Sequence, residues 1–363
     1  MSRKGSNLPT TMQQKIIIKT TWLSLWVGAL CFSVLGHSST TYTLTPEQSA
    51  NVQGARLSAA MAWHGSSPWI SAVTKGAKAE FKRLGINVIA VTEAHYDPAK
   101  QVSDLETLTA LKPDILLSLS VDSLSTKPSY LQLIKSGTKL VLLSNPISGF
   151  SHGADFAGIV KDDVKGMGEA AAQLVAKALF DKGRVGVIYH EANYPITNHR
   201  DSAFRKALKR FPDIKIVSEK GFVKKNQTAQ LAAAMMIQHH DIDAIYVSWD
   251  AAAEGVIEAL RISGHKDTKV ITHDLGVNNL IDMALGGNMF GTVSDRPNEM
   301  GKLMARIGAG AAIGLDTPLY TQVHFNTVTR ENIAASWQIA FATELPKLLQ
   351  QVLKQSEQVK VPE

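Results

Sequence analysis

Cysteine is nearly absent: Cys31 is the only one in 363 residues. That excludes a disulfide framework and any site built from several cysteines. Acids are missing from the start of the chain, where Arg3, Lys4, Lys15 and Lys19 precede the first one, Glu47. Membrane-length apolar runs are missing too. The uncharged stretch "TTWLSLWVGALCFSVL", Thr20 to Leu35, falls short of the ~20 residues a span requires. A large charge imbalance is also absent, with Lys+Arg 38 against Asp+Glu 32, a net +6. Four of those positives precede Glu47, so a chain without that segment carries +2. Such a balance gives no argument for nucleic acid as a partner.

The N-terminal pattern is positive. A basic region, the apolar run and "GHSST" with small residues Gly36 and Ser38 form the three parts of a cleaved secretory signal over 1–38. Met12 is a second possible start, and an uncleaved anchor is the alternative reading. Leu30 before Cys31 is not the small residue a lipoprotein signal carries there. The expected mature chain has no thiol, which suits an oxidising compartment, and its length suits two domains.

Short apolar runs alternate with helical patterns. The predicted strands are Leu57–Trp63, Asn87–Thr92, Asp114–Leu119, Lys139–Ser144, Arg184–His190, Ile214–Glu219, Ala244–Ser248, Lys269–His273 and Met289–Ser294. Predicted helices between them include Trp69–Leu84, Val164–Phe180, Ser202–Phe211, Ala229–His239 and Ala251–Ile262. This alternation implies βαβ units and parallel sheets, an α/β fold. "AEFKRLGINVIAV" and "KALKRFPDIKIVS" share a basic helix end, a turn and an Ile/Val strand. We therefore expect two doubly wound lobes joined by a hinge, with a ligand cleft between them. The expected N-terminal lobe takes 55–161 plus 296–325, and the C-terminal lobe 162–295 plus 326–340. The stretch 341–363 reads as a final amphipathic helix and tail.

Ligands of open α/β sheets sit outside the carboxyl ends of the strands. The residues following each predicted strand are thus the candidate site. They include Trp63, His64, Ser66, Ser67 and Trp69, then Ser144 and Asn145, then Glu191, Asn193, Tyr194 and Arg200. Phe222, Trp249, Asp250, His273, Asp274, Ser294, Asp295 and Arg296 follow. Carboxylates accept hydrogen bonds from hydroxyls, and Arg and Asn donate to oxygens. Aromatic faces cover the C–H surface of a ring. The set suits a neutral sugar or polyol.

In order and spacing, these segments resemble the type I periplasmic binding proteins of ribose-type sugar transporters. That group shares its fold with LacI-type repressor cores and quorum-signal receptors. "SSPWISAVTKGAKAEFKRLG", "KPDILLSLSVDS", "AGIVKDDVKGMGEAAAQLVAKAL", "NHRDSAFRKAL", "YVSWDAAAEGVIEAL", "VITHDL" and "TVSDRPNEMG" carry the resemblance, which covers about Ala59 to Trp337. It implies Ser67 and Trp69 as first-loop polar and stacking positions. It further implies Arg200, Asp250 and Asp274 as second-lobe ligand positions, Phe222 as an aromatic one and Asp295 at a hinge-proximal position that is often Gln. Three departures stand out. Asn145-Pro146 replaces an Asp-Arg pair, Trp249 replaces Asn, and Asp295 replaces Gln, which points away from ribose itself. Trp249 and Trp69 together suggest an aromatic clamp.

Simpler roles stand beside these. Trp69 and Trp63 are alternatively core residues, His64 a loop histidine, and Asp250 and Asp274 helix N-caps. "GMGEAA" has no strand leading into it and no acidic partner, so it is a poor nucleotide fingerprint. "HHD" (His239–Asp241) lacks metal-site spacing, and His273-Asp274 has no nucleophile elbow. We expect no catalytic residue, no cofactor and no metal. The expected activity is that of a monomeric periplasmic receptor delivering a sugar or polyol to an inner-membrane ABC permease. A receptor docking on a membrane sensor kinase is the alternative, and a sugar-modifying enzyme a third reading. The export signal, standing where a helix-turn-helix would, excludes a LacI-type repressor.

Overall fold

A computed structural model describes residues 41–192 and 194–358. The expected signal segment 1–38, with Cys31, lies outside the described residues, as does Asn193. Along the chain run α1 (Pro46–Gly54), β1 (Ser58–Trp63), α2 (Pro68–Arg83), β2 (Asn87–Glu93), α3 (Pro98–Leu111) and β3 (Ile115–Ser118). Next come α4 (Lys127–Lys135), β4 (Lys139–Leu143), β5 (Gly158–Asp162), α5 (Val164–Ala178), β6 (Gly183–His190) and α6 (Pro195–Leu208). Then follow β7 (Ile214–Phe222), α7 (Thr228–Gln238), β8 (Ala244–Val247), α8 (Asp250–Ile262), β9 (Lys269–His273) and α9 (Val277–Ala284). The chain ends with β10 (Met289–Ser294), α10 (Pro297–Ala312), β11 (Tyr320–Val323), β12 (Asn326–Val328), α11 (Ile333–Phe341) and α12 (Lys347–Gln358).

The strands form two six-stranded sheets, β11-β5-β4-β3-β1-β2 and β12-β10-β9-β8-β6-β7. Neighbours run parallel except β12, which pairs antiparallel with β10. The α/β fold with two parallel-dominated sheets is as expected from sequence. The two orders correspond strand for strand, so the sequence echo between the halves is a structural repeat. Each expected strand is present, with ends shifted by a few residues at most. Three short ones, β5, β11 and β12, are additional. The helix expected over Ser202–Phe211 begins earlier, at Pro195, because proline fits the first turn of a helix, where its missing N–H is not needed.

The central strands are apolar on both faces because helices cover both. Met61 belongs to one core of the first sheet while Ala60 and Ala62 belong to the other. In the second sheet Val185 and Val187 face one core and Ile188 the opposite one. Each fully buried Leu, Ile or Val contributes about 1.5–3 kcal/mol. The apolar face of α12 packs here too, through buried Leu349 and Val352, so the tail helix is part of the second core.

The chain passes between the sheets after β5, after β10 and between β11 and β12. After the first passage α5 packs on α6; after the second, α10 packs on α2. Each crossing helix therefore joins the layer of the lobe it enters. Glycine permits these close approaches. A Cβ at Gly168 would stand 2.3 Å from the Arg200 carbonyl oxygen, and one at Gly301 1.9 Å from that of Val73. Among the described residues, no helix is long and apolar enough to cross a membrane.

Candidate ligand-binding site

The site forms where the passages meet the carboxyl ends of the strands. Asp162 ends β5 and Asp295 follows β10, so the two lie at matching places in the repeat. Their carboxyl groups face each other closely enough to hydrogen-bond, and both are buried. Two carboxylates only accept, so such a contact requires a proton on one of them. Burial raises both above the usual carboxylate range, Asp162 to about 6 and Asp295 well above its ordinary value, with repulsion from Asp162 adding to Asp295. The Trp69 indole Nε1 donates to Asp295 Oδ2 at 2.6 Å, which ties the start of α2 to the second passage. Asp162 Oδ1 is buried without a hydrogen-bond partner.

Arg200, on α6 and 5% exposed, supplies the positive charge. One terminal nitrogen donates to the Ser248 carbonyl at 2.8 Å; the other lies 3.6 Å from Asp274 Oδ1. Its Nε is buried and has no partner. The neighbouring residue, Asp201, accepts from the Tyr246 hydroxyl and the Ser248 hydroxyl, each at 2.7 Å. Tyr246 gives its proton to Asp201, so His273 Nε2, 3.1 Å away, must donate to the tyrosine oxygen. Burial, helped by Arg200, holds His273 neutral with its pKa well below the ordinary value. Phe204 stacks on Tyr246 with ring centroids 3.8 Å apart. This packed network holds the backbone around Arg200 and Ser248 in place.

Asp250 and Asp274 complete the carboxylate group. Asp274 follows β9 with φ 69°, and Ser144 holds the matching place after β4 with φ 59°. Left-handed backbone at a non-glycine residue costs on the order of 1–3 kcal/mol and collects at functional sites. Asp250 opens α8, and its Oδ1 accepts from the next N–H at 2.6 Å. Burial and then the nearby Asp274 charge raise its pKa to about 7. Neither aspartate is the N-cap: Trp249 and Gly276 hold those positions.

The aromatic residues divide by lobe. Trp249 meets His190 edge-on at 4.8 Å and Phe222 at 4.8 Å. Phe222 is 1% exposed and supports Trp249 from the second core, so it acts as a backing wall in this conformation. The ring contacts of Trp249 are within its own lobe, while Trp69 is bonded to Asp295; the two indoles do not stack directly on each other. Trp63 is buried in the first core. His64 packs edge-on against Tyr96 at 5.0 Å, and burial lowers its pKa to about 4. Ser67 caps α2 by accepting from the Ile70 N–H at 3.1 Å. Asn145 is half-buried after Ser144, and the structure gives its side chain no link to the carboxylates.

Trp69, Arg200, Asp250, Asp274 and Asp295 are thus brought together, with Trp249 and Phe222 as an adjoining aromatic wall. The sequence does not mark Asp162, because β5 is too short an apolar run to read as a strand. Nor does the sequence mark Tyr96, which follows β2 and packs against His64. A concavity of about 770 Å³ is lined by residues such as Tyr189, His190, Glu191, Asp201 and Arg205, and by none of Asp162, Asp250, Asp274 and Asp295.

The arginine, carboxylates and indoles offer hydrogen bonds and apolar faces that a small polar molecule can use. A family model described as periplasmic binding protein domain matches residues 59–316. The ribose import binding protein of Bacillus subtilis strain 168 is 26% identical over 238 residues, 66% of this chain and 75% of that protein. The D-allose-binding periplasmic protein of Escherichia coli strain K12 is 24% identical over 242 residues, 65% of this chain and 78% of that one. A solute-binding protein of Agrobacterium vitis, solved with α-D-tagatopyranose, superposes with TM-score 0.69 at 19% identity, covering 79% of this chain and 100% of that one. At that identity the likeness shows the fold. These relatives and neighbours are solute-binding proteins of sugar importers and not enzymes, and this chain belongs to the periplasmic binding protein domain family.

Proposed function

We propose that the protein is exported to the periplasm, captures a sugar or related polyol by hinge closure, and delivers it to an ABC permease. The observation that carries this reading is the convergence of Arg200, Asp250 and Asp274 from one lobe with Trp69 and the passage residue Asp295. Carboxylates and a guanidinium offer charge-assisted bonds to hydroxyls, and indole faces cover ring carbons. Two lobes that each contribute contacts favour a closed bound state. The relatives are import binding proteins, which favours delivery to a permease over docking on a sensor kinase.

The test is a thermal-shift screen of pentoses, hexoses, polyols and furanosyl signals, followed by calorimetry. A ligand present at a hundred times its Kd stabilises the folded state by about 2.7 kcal/mol. We expect at least one member of the panel to raise the melting temperature, and Trp249→Ala to weaken its binding at least tenfold. A melt unmoved by every sugar and polyol would remove the saccharide reading. Unchanged affinity in the tryptophan variant would take Trp249 out of the site.

A further inference from the structure

The charges around this site do not balance. Asp274 acts electrostatically on Asp162, Asp250 and Asp295, Asp162 acts on Asp295, and Arg200 is the guanidinium that acts on Asp162, Asp250 and Asp274. Arg296, beside Asp295 in sequence, turns instead to Asn326 Oδ1 at 2.8 Å and to Glu299. Asp162, Asp295 and Arg200 are each at least nine-tenths buried, so water screens the imbalance poorly. Three explanations are available: a metal ion, bound protons, or a cationic ligand. Among the described residues, no three acidic or histidine side chains are grouped so as to hold a metal ion.

Two unpartnered atoms separate the remaining choices. Asp162 Oδ1 is a buried acceptor with no donor, and Arg200 Nε is a buried donor with no acceptor. A shared proton between Asp162 and Asp295 gives Asp162 a donor but leaves Arg200 Nε without an acceptor. A molecule bearing both an ammonium group and hydroxyl oxygens satisfies both. An N–H of the ammonium supplies Asp162, and a hydroxyl oxygen accepts from Arg200. The same carboxylates oppose sugar acids and sugar phosphates.

We propose that the ligand is a sugar or polyol carrying a protonated amine, an amino sugar or aminopolyol, whose ammonium is received by the Asp162–Asp295 pair. The proposal rests on the saccharide reading above and narrows it. It is tested by calorimetry on matched sets: D-glucosamine, N-acetyl-D-glucosamine and D-glucose; D-galactosamine, N-acetyl-D-galactosamine and D-galactose; and 1-amino-1-deoxy-D-sorbitol with D-sorbitol. At pH 7 the amine of at least one set should bind at least tenfold more tightly than its neutral counterparts. Asp295→Gln and Asp162→Asn, each confirmed to melt cooperatively, should reduce that preference to threefold or less. Neutral members binding as tightly as the amine would overturn the proposal while leaving the saccharide reading intact, and proton uptake in buffers of different ionisation enthalpy would then show that a proton fills the place. Silence from every member would remove both.

Discussion

Asp295 is held by neighbours with opposite demands. The Trp69 N–H favours its ionised form, whereas Asp162 and Asp274 oppose it. Trp69→Phe keeps most of the apolar contact and deletes the donor. Leaving a buried acceptor short of a hydrogen bond costs about 1–3 kcal/mol, so urea unfolding should show a loss of that size. A change near zero would mean that Asp295 finds another donor. The pair also sets a pH dependence. An unfolded aspartate titrates near 3.9, whereas folded Asp162 titrates at about 6, raised by burial. In that window the folded state binds more protons than the unfolded one, so this pair's contribution falls as pH rises from about 4 through 6. Asp295→Asn removes the second group of the pair, whose own pKa burial and then the Asp162 charge raise well above the ordinary value, and with it that group's share of the fall. The unfolding free energy of the variant minus that of the wild type should therefore increase with pH across this window. His64, His190 and His273 shift the opposite way, but they are present in both proteins and cancel in the difference. A flat difference would show that Asp295 binds no more protons in the folded state than in the unfolded one. At this scale the sequence was legible wherever a strand end was recognised, as at Trp69, Arg200, Asp250 and Asp274. Asp162 was hidden because its importance comes from Asp295, 133 positions away along the chain, and no local pattern marks such a meeting.

Among the elements, the paired crossing helices make the most specific demand on sequence. α5 lies so close to α6 that a methyl group at Gly168 would meet the Arg200 carbonyl, and backbone cannot rotate away as a flexible side chain can. Gly168→Ala should therefore cost about 1–3 kcal/mol, the usual range for overpacking. It should also weaken ligand binding, because the displaced backbone carries Arg200. Gly54→Ala is the control. It lies at the end of α1 with nothing within 4 Å of its added Cβ, so stability should stay within about 0.5 kcal/mol or rise slightly. Equal effects in denaturant titrations would mean that helix propensity, not contact, governs both sites. The same geometry explains which elements could be read from sequence. β3 and β8 are buried along their whole length and appear as unbroken apolar runs. By contrast β5 opens on a glycine and closes on Lys161-Asp162, while β11 and β12 are short edge strands with exposed positions. Their apolar signal is too short to separate from loop.

Across the whole molecule, each sheet has its own pair of cores, and the links between lobes are few and mainly polar. The clearest are Trp69 to Asp295, the Lys75 ammonium to the Ala342 carbonyl at 2.6 Å, and Ala72 packed against the second core. Lobes that bury most of their apolar surface separately need not unfold together. Scanning calorimetry of the ligand-free protein should therefore give a broad transition whose calorimetric enthalpy exceeds its van't Hoff enthalpy. A ligand held by Arg200 and Asp274 on one side and by Trp69 on the other binds only when both lobes are folded, so its binding free energy becomes a coupling between them. Saturation should bring the two enthalpies together and sharpen the transition as the melting temperature rises. Asp274→Asn, which weakens the grip of one lobe, should leave the ligand-bound melt broader than that of the wild type. If the ligand raised the melting temperature with no change in the enthalpy ratio, binding would be confined to one lobe and hinge closure would not be its mechanism.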